Sequence, residues 1–155
     1  MTAEAKILLV DDNREFAVVL NQRLTGRNYS VTLAHSGKEA LAQLEEDKDL
    51  EVVLLDAKMP GFDGIETLKL IKKKLPLVEV IMLTGHSTLD SAINAIKIGA
   101  YDYLVKPIDI EQLVSKIEKA AARKRQRDKL ILEVHMTPYL TRREQEEQIA
   151  KILAT

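Results

Sequence analysis

Polar residues directly follow four of the short apolar runs in this sequence. Asp11 and Asp12 follow ILLV, Asp56 follows VVLL, Thr84 follows VIML and Lys106 follows YLV. Aspartate and threonine often open a loop after a strand without any chemical role, and that explanation would serve for any one of them alone. A lysine directly after a buried run and two adjacent aspartates are harder to explain in this way. We therefore favour one shared functional site.

These side chains would suit chemistry on a phosphoryl group beside a divalent cation. Three carboxylates at close range repel one another, so at least one would bind a proton more tightly unless a cation balances the charge. Oxygen ligands suit Mg²⁺, which takes one or two carboxylates and completes its shell with water and a phosphoryl oxygen. One carboxylate is then free to attack phosphorus, while Lys106 and Thr84 bind the phosphoryl oxygens. Asp56 is the candidate nucleophile because it ends the third apolar run.

The apolar runs alternate with segments that have helical spacing. The runs are residues 6–10, 29–34, 52–55, 78–83 and 101–105. The first intervening segment has apolar residues at Phe16, Val19, Leu20 and Leu24, as an amphipathic helix requires. Strict alternation predicts an α/β fold with a parallel sheet and helices on both of its faces. Because the carboxyl ends of parallel strands share one edge, the polar residues would converge there.

Capping signals predict where the helices begin. The candidate N-caps each stand three residues before an acidic or amide side chain, and they are Ser36, Asp63, Ser87, Asp109 and Thr141. Gly26, Gly99 and Pro76 stand where helices should end. The run from Tyr29 to Ala34 alternates apolar and polar residues, which predicts an edge strand, whereas the first, third and fourth runs are nearly all apolar.

Spaced motifs in this order resemble the receiver domain of two-component response regulators. They are LLVDD at 8–12, LLDAKMPGFDGIE at 54–66, LTGH at 83–86 and GAYDYLVKP at 99–107. The resemblance covers about residues 5 to 122 and implies a flavodoxin-like (βα)5 doubly wound sheet with strand order 2-1-3-4-5. Residues 91–119 are most similar to receivers of nitrogen-regulation-type activators.

The resemblance implies a phosphoacceptor and its metal ligands. Asp56 would accept a phosphoryl group from the phosphohistidine of a sensor histidine kinase. Asp12, Asp56 and the backbone carbonyl of Lys58 would bind Mg²⁺, and Asp11 would assist through water. The chain would then catalyse only its own phosphorylation and dephosphorylation, and it would not be an enzyme in the usual sense.

The resemblance also implies the groups that respond to phosphorylation. Thr84 and Lys106 would bind the phosphoryl group, and Tyr103 stands where the family has a rotating aromatic switch residue. Lys106-Pro107 matches a peptide bond that is usually cis. No element of this set is missing, which argues against the alternative of a phosphorylation-independent protein-binding module.

Two long side chains are expected to control how long the phosphoryl group lasts. Lys58 and His86 should flank the path of a water molecule that attacks phosphorus opposite the Asp56 oxygen, so we expect slow self-dephosphorylation. The rival hypothesis is that His86 activates this water, because histidine titrates near neutral pH.

Composition and other motifs exclude several further classes. The net charge is -1, cysteine is absent and no apolar run is long enough to span a membrane, so we expect a cytoplasmic protein. Lys58 stands where phosphatases with an aspartate nucleophile carry a second aspartate. The DDNRE segment would repel the phosphate of a flavodoxin-like electron carrier. The weak helix-turn-helix resemblance of the last residues lacks a recognition helix, so direct DNA binding by this chain is not expected.

The tail predicts a helical extension. We expect a receiver domain at 1–122 and a helical C-terminal extension or linker at 123–155. Heptad spacing runs from Ile110 to Val134 and is interrupted by Lys124 and Arg127. We expect phosphorylation to favour a homodimer through the last strand and helices, with Ile131 and Val134 extending the contact. The basic residues near position 125 are expected to form a solvated helix face.

Overall fold

The computed structural model describes residues 4–58, 63–85 and 89–155. The described strands are β1 (Lys6–Val10), β2 (Ser30–Ala34), β3 (Val52–Asp56), β4 (Glu79–Thr84) and β5 (Asp102–Val105). The described helices are α1 (Arg14–Thr25), α2 (Gly37–Glu46), α3 (Gly64–Lys74), α4 (Leu89–Ile98), α5 (Ile110–Met136) and α6 (Arg142–Ala154). The predicted alternation is confirmed.

The strands form one parallel sheet in the order β2-β1-β3-β4-β5. This flavodoxin-like order and the edge position of β2 agree with the sequence analysis. In the register, Val10 lies opposite Leu55, and Asp56 lies opposite Leu83. The carboxyl ends of β1, β3 and β4 are therefore nearly level, which brings the residues at these ends to one edge of the sheet.

Two apolar layers hold the sheet between the helices. Alternate residues of each strand point to opposite faces, so Leu9 packs with α1 and α5 while Leu8 packs with α2, α3 and α4. Both leucines have no exposed surface. Full burial of a leucine side chain stabilises a fold by about 1.5–3 kcal/mol. Burial on both faces makes the three central strands a rigid support for the residues at their ends.

Side-chain caps begin the helices where the sequence predicted. The backbone N–H groups of the first turns donate to the side chains of Ser36, Asp63, Asp109 and Thr141. Asn13 caps α1 in the same way, although the sequence analysis did not single it out. The predicted cap at Ser87 lies outside the described residues.

The extended C-terminal helix is confirmed, and a second helix folds back on it. Helix α5 contains 27 residues and continues without a break past position 122. Arg127 is 5% exposed, so the prediction of a solvated face is wrong at this position. Its guanidinium lies beside the Glu79 carboxylate and donates to the carbonyl of Leu153 in α6. Among the described helices, none has the length and apolar character that a bilayer crossing needs.

Replacement of Gly64 by alanine should destabilise the fold. A Cβ atom at position 64 would lie 2.3 Å from the Asp56 carbonyl oxygen and 2.7 Å from the Ala57 Cα. Backbone atoms cannot give way cheaply, so Gly64→Ala should lower the free energy of unfolding by about 1–3 kcal/mol in urea titrations. Gly85→Ala is the matched control, because a Cβ there meets nothing within 4 Å. Equal unfolding midpoints for the two variants would contradict this steric account.

Candidate functional site

Three carboxylates meet at the carboxyl edge of the sheet. Asp11 and Asp12 directly follow β1, and Asp56 is the last residue of β3. One carboxylate oxygen from each of the three lies within 4.8 Å of the others. Asp11 and Asp56 are buried, whereas Asp12 is exposed. The cluster is thus an acidic pocket with a buried floor and an open side.

Hydrogen bonds fix both oxygens of the Asp11 carboxylate. The backbone N–H of Asn13 donates to Oδ1 at 2.9 Å, and the Lys106 ammonium donates to Oδ2 at 2.7 Å. Asp11 is 1% exposed, so its charge depends on these donors and not on water. Asp11 therefore positions Lys106, which leaves Asp12 and Asp56 as the more accessible oxygen donors.

The Lys106 ammonium lies between two of the carboxylates. Its Nζ atom is 4.0 Å from Asp56 Oδ2, in addition to the closer contact with Asp11. The Phe16 ring supports the ammonium, with 3.9 Å between Nζ and the ring centroid. The backbone N–H of Lys106 donates to the Thr84 carbonyl at 2.7 Å, and the Lys106-Pro107 bond is cis, as expected. Both the backbone and the ammonium group of Lys106 are thus held in place.

The surroundings of Asp56 make its carboxylate costly to ionise. Burial, followed by the negative charge of Asp11 and to a smaller extent that of Asp12, raises the pKa of Asp56, and the net pKa is about 6. The Lys58 N–H, which donates to Oδ1 at 3.3 Å, and the Lys106 ammonium act in the opposite direction. One ammonium does not balance three carboxylates. A cation at the open side of the pocket would therefore stabilise the ionised form of Asp56.

The donor set fits Mg²⁺. The ligand atoms available from Asp11, Asp12 and Asp56 are all carboxylate oxygens, and they are close enough to share one ion. Hard oxygen ligands and an open side for water match the preference of Mg²⁺. Among the described residues, Asp12 and Asp56 are best placed to hold the ion, because Lys106 and Asn13 already occupy Asp11.

Thr84 and Tyr103 lie on the two strands next to the pocket. Thr84 ends β4, is 1% exposed and follows Leu83, the residue that pairs with Asp56. Tyr103 is half-buried on β5 and packs at the margin of the layer that contains α4. The structure thus places Thr84 at the pocket and Tyr103 one strand farther along the sheet.

The structure also brings to the site a histidine that the sequence analysis did not single out. His35 donates from Nδ1 to the backbone carbonyl of Asp11 at 3.0 Å. Its position directly after β2, beside β1, was the available signal. Lys58 has an exposed side chain, and His86 lies outside the described residues.

Comparisons with known proteins agree with this geometry. Residues 7–118 match the family described as the response regulator receiver domain. The chain is 43% identical over 120 residues to the transcriptional regulatory protein ZraR of Salmonella typhimurium, with 77% of this chain and 27% of that protein covered. It is 44% identical to the DNA-binding transcriptional regulator NtrC of Klebsiella pneumoniae over 72% of this chain and 24% of that protein. The chain thus spans about a quarter of the length of these curated relatives.

Solved structures give the same result. A receiver domain protein from Clostridium thermocellum has a TM-score of 0.75 and 39% identity, with 79% of this chain and 98% of that chain covered. The beryllofluoride-activated NtrC4 receiver domain dimer has a TM-score of 0.72 and 34% identity, with 77% and 98% covered. With its sheet order and its acidic pocket, this chain belongs to the response regulator receiver domains of two-component signalling systems.

Proposed function

We propose that Asp56 accepts a phosphoryl group from a sensor histidine kinase in a Mg²⁺-dependent reaction. The observation that carries the proposal is a buried carboxylate within 4.8 Å of two others and 4.0 Å from a fixed ammonium. In the receiver family such a domain is a signalling component and not a classical enzyme. Phosphorylation would change the charge at this edge of the sheet and thereby the output face of the domain.

The reaction is a displacement at phosphorus. An Asp56 carboxylate oxygen forms a bond to phosphorus as the bond to the kinase imidazole nitrogen breaks, and the imidazole leaves with the electron pair. Lys106 balances the charge on the transferred phosphoryl oxygens, and Asp11 holds its ammonium in position before the donor arrives. A bound Mg²⁺ would neutralise charge on the carboxylates and on the phosphoryl oxygens.

The proposed switch couples Thr84 to Tyr103. The Thr84 hydroxyl would turn toward the phosphoryl oxygens, and the Tyr103 ring would turn inward toward the space that this movement opens. Contacts that differ between the two states are what a population shift requires. The two residues lie on the hydrogen-bonded neighbours β4 and β5, which supports this coupling.

The chain is proposed to have a receiver unit at 1–122 and a helical extension at 123–155. The family match at 7–118 supports this boundary. A homodimer through β5 and the neighbouring helices is part of the same proposal. Ile93, Ile96 and Val105 expose between 42% and 47% of their surface there, and one relative is described as a receiver domain dimer. We further propose that the whole protein is a larger regulator with DNA-binding parts, like the relatives described as the DNA-binding transcriptional regulator NtrC.

Acetyl phosphate should label the chain once, on Asp56, in the presence of Mg²⁺. Asp56→Asn should abolish the added mass and Asp12→Ala should strongly reduce it, because the nucleophile and a cation ligand are lost. Intact-mass spectrometry measures both effects, with chelator as the metal control. Asp49→Asn is the matched control, because Asp49 is an exposed aspartate away from the pocket. Equal labelling with and without chelator would contradict the proposal, and no labelling would favour the binding-only module.

Without metal, ionisation of Asp56 should destabilise the fold as the pH rises from about 4 to 6. The pKa of Asp56 is about 6 in the folded chain against an ordinary value of 3.8. The unfolded chain therefore loses this proton first, and the folded state carries the full penalty above pH 6. Asp56→Asn removes the penalty, so it should raise the free energy of unfolding at pH 7.5 by about 1–3 kcal/mol and have little effect near pH 4.

Urea titrations in chelator at the two pH values would measure this difference. In the absence of chelator, added Mg²⁺ should stabilise the parent chain at pH 7.5, because the ion binds the folded pocket more tightly than the unfolded chain. It should leave the Asp56→Asn variant nearly unchanged, because that variant lacks one of the carboxylate ligands. The same effect of Asp56→Asn at both pH values would contradict the electrostatic interpretation.

Lys58→Ala should accelerate loss of the phosphoryl group severalfold. The Lys58 side chain is exposed directly after β3, and shortening it would open the path of the attacking water. The decay of phosphorylated protein, followed by intact mass, measures the effect, and Lys48→Ala at an exposed lysine elsewhere is the control. The same steric hypothesis predicts that His86→Ala accelerates decay. Slower decay in His86→Ala would instead indicate that His86 is the base that activates the attacking water. Unchanged decay in both variants would refute the steric hypothesis.

A further inference from the structure

A second buried charge cluster lies at the opposite edge of the sheet from the acidic pocket. Glu79, the first residue of β4, is 1% exposed and faces three cations. Its carboxylate oxygens lie 3.6 Å from Lys72 Nζ, 3.3 Å from Arg123 Nε and 3.8 Å from Arg127 Nη1. One carboxylate therefore serves cations from both α3 and α5.

This cluster has more positive than negative charge. Lys72 finds further acceptors in the carbonyls of Pro76 and Val78, each at 2.9 Å. The Arg127 side chain is only 6% exposed, and it donates from Nη2 to the carbonyl of Leu153 at 3.1 Å. Burial lowers the pKa of both Lys72 and Arg127, which indicates how poorly water compensates these cations.

The last turn of α6 supplies part of the missing negative charge. Leu153 lies in that turn, where carbonyl groups have no partner within the helix and the helix dipole has its negative end. Arg127 is thus shared between the Glu79 carboxylate and the end of α6. The same guanidinium joins the sheet, α5 and α6.

Helix α6 covers a stretch of α5 that the sheet does not reach. Val134 is 6% exposed although it lies about 20 Å along α5 from Ala121, the last α5 residue of the sheet core. Among the described elements, α6 has the most extensive contact with α5. With Leu153 at Arg127, the antiparallel arrangement sets Ile149 near the level of Ile131. Ile131 and Ile149 are both partly buried.

The connection between the two helices has an unfavourable backbone conformation. Tyr139 has a φ of 68° and is fully exposed, so its side chain offers no packing that compensates for the left-handed conformation. Release of α6 would allow this residue to relax. The closed hairpin therefore depends on its contacts, of which the buried Arg127 bond is the most specific.

We propose that α6 is an autoinhibitory latch, held by Arg127, that closes the Ile131 and Val134 face of α5 to a second copy of the chain. The inference goes beyond the proposed phosphoryl transfer and does not require it. These two residues continue, beyond the sheet, the α5 face on which Leu113 and Ile117 are buried, and they are the residues expected to extend a contact between copies. In the closed hairpin the chain's own α6 occupies that face, so such a contact requires α6 to leave first.

The absence of cysteine allows a direct test. In the full chain, Val134→Cys would supply a single thiol under α6, and Leu132→Cys would supply one on the exposed side of the same helix, where Leu132 is 58% exposed. The thiol at position 134 should react with a soluble disulfide reagent at least about tenfold more slowly, because reaction requires local opening. Equal rates at the two positions would overturn the covering role of α6.

Arg127→Met should release the latch. In the Val134→Cys background it should accelerate thiol reaction about tenfold, while the rate in the Leu132→Cys background stays the same. Arg142→Gln is the matched control, because the Arg142 side chain is 93% exposed on α6. An unchanged rate at position 134 after Arg127→Met would overturn the proposal. Amide exchange in β3 checks that the sheet remains folded.

A second variant keeps the test valid if Arg127→Met disturbs the sheet. Ile149→Ser weakens the apolar contact of α6 and leaves the Glu79 cluster intact. It should also accelerate reaction at position 134, and sedimentation should then detect concentration-dependent association that the unphosphorylated parent chain lacks. Faster thiol reaction without association would show that α6 covers α5 but does not inhibit pairing, which would overturn the autoinhibitory role.

Discussion

The electrostatic balance among Asp11, Lys106 and Asp56 is the interaction on which the rest of the structure depends. Two buried carboxylates and one ammonium stand at strand ends where water is nearly excluded, so the Lys106 ammonium is the nearby positive charge that offsets the repulsion between Asp11 and Asp56. The parallel sheet meets this requirement because its register makes the ends of β1 and β3 level. The two apolar layers then fix the register.

This balance is incomplete, because one ammonium faces three carboxylates. A fully compensated Asp56 would have an ordinary pKa and little tendency to gain a cation. Here burial and Asp11 raise that pKa to about 6, while Asp12 stays exposed at the open side. The same excess of negative charge would favour binding of a divalent cation at the open side.

Strand β4 carries a buried polar residue at each end. Thr84 lies at the edge that carries the acidic pocket, and Glu79 lies at the opposite edge among Lys72, Arg123 and Arg127. The first edge has excess negative charge and the second has excess positive charge. The acidic pocket has an open side, whereas Arg127 of the basic cluster donates to a carbonyl of the protein's own α6. The excess negative charge is thus accessible from outside the protein, whereas part of the excess positive charge is compensated within the chain.

The sequence by itself determined the α/β alternation, the edge position of β2 and the residues of the acidic pocket. These features depend on local spacing and on the rule that parallel strands end at one edge, so no distant contact was needed to infer them. Tertiary structure alone decided the roles of Glu79, Arg127 and His35. Glu79 stands in an apolar run and Arg127 interrupts a heptad, and the two meet across the α5–β4 contact. Glu79 also faces Lys72 and Arg123 there, and Arg127 also donates to the Leu153 carbonyl. His35 reaches Asp11 because β2 lies beside β1. A sequence pattern reports the burial of a residue, but the partner that neutralises a buried charge is set by packing between distant segments.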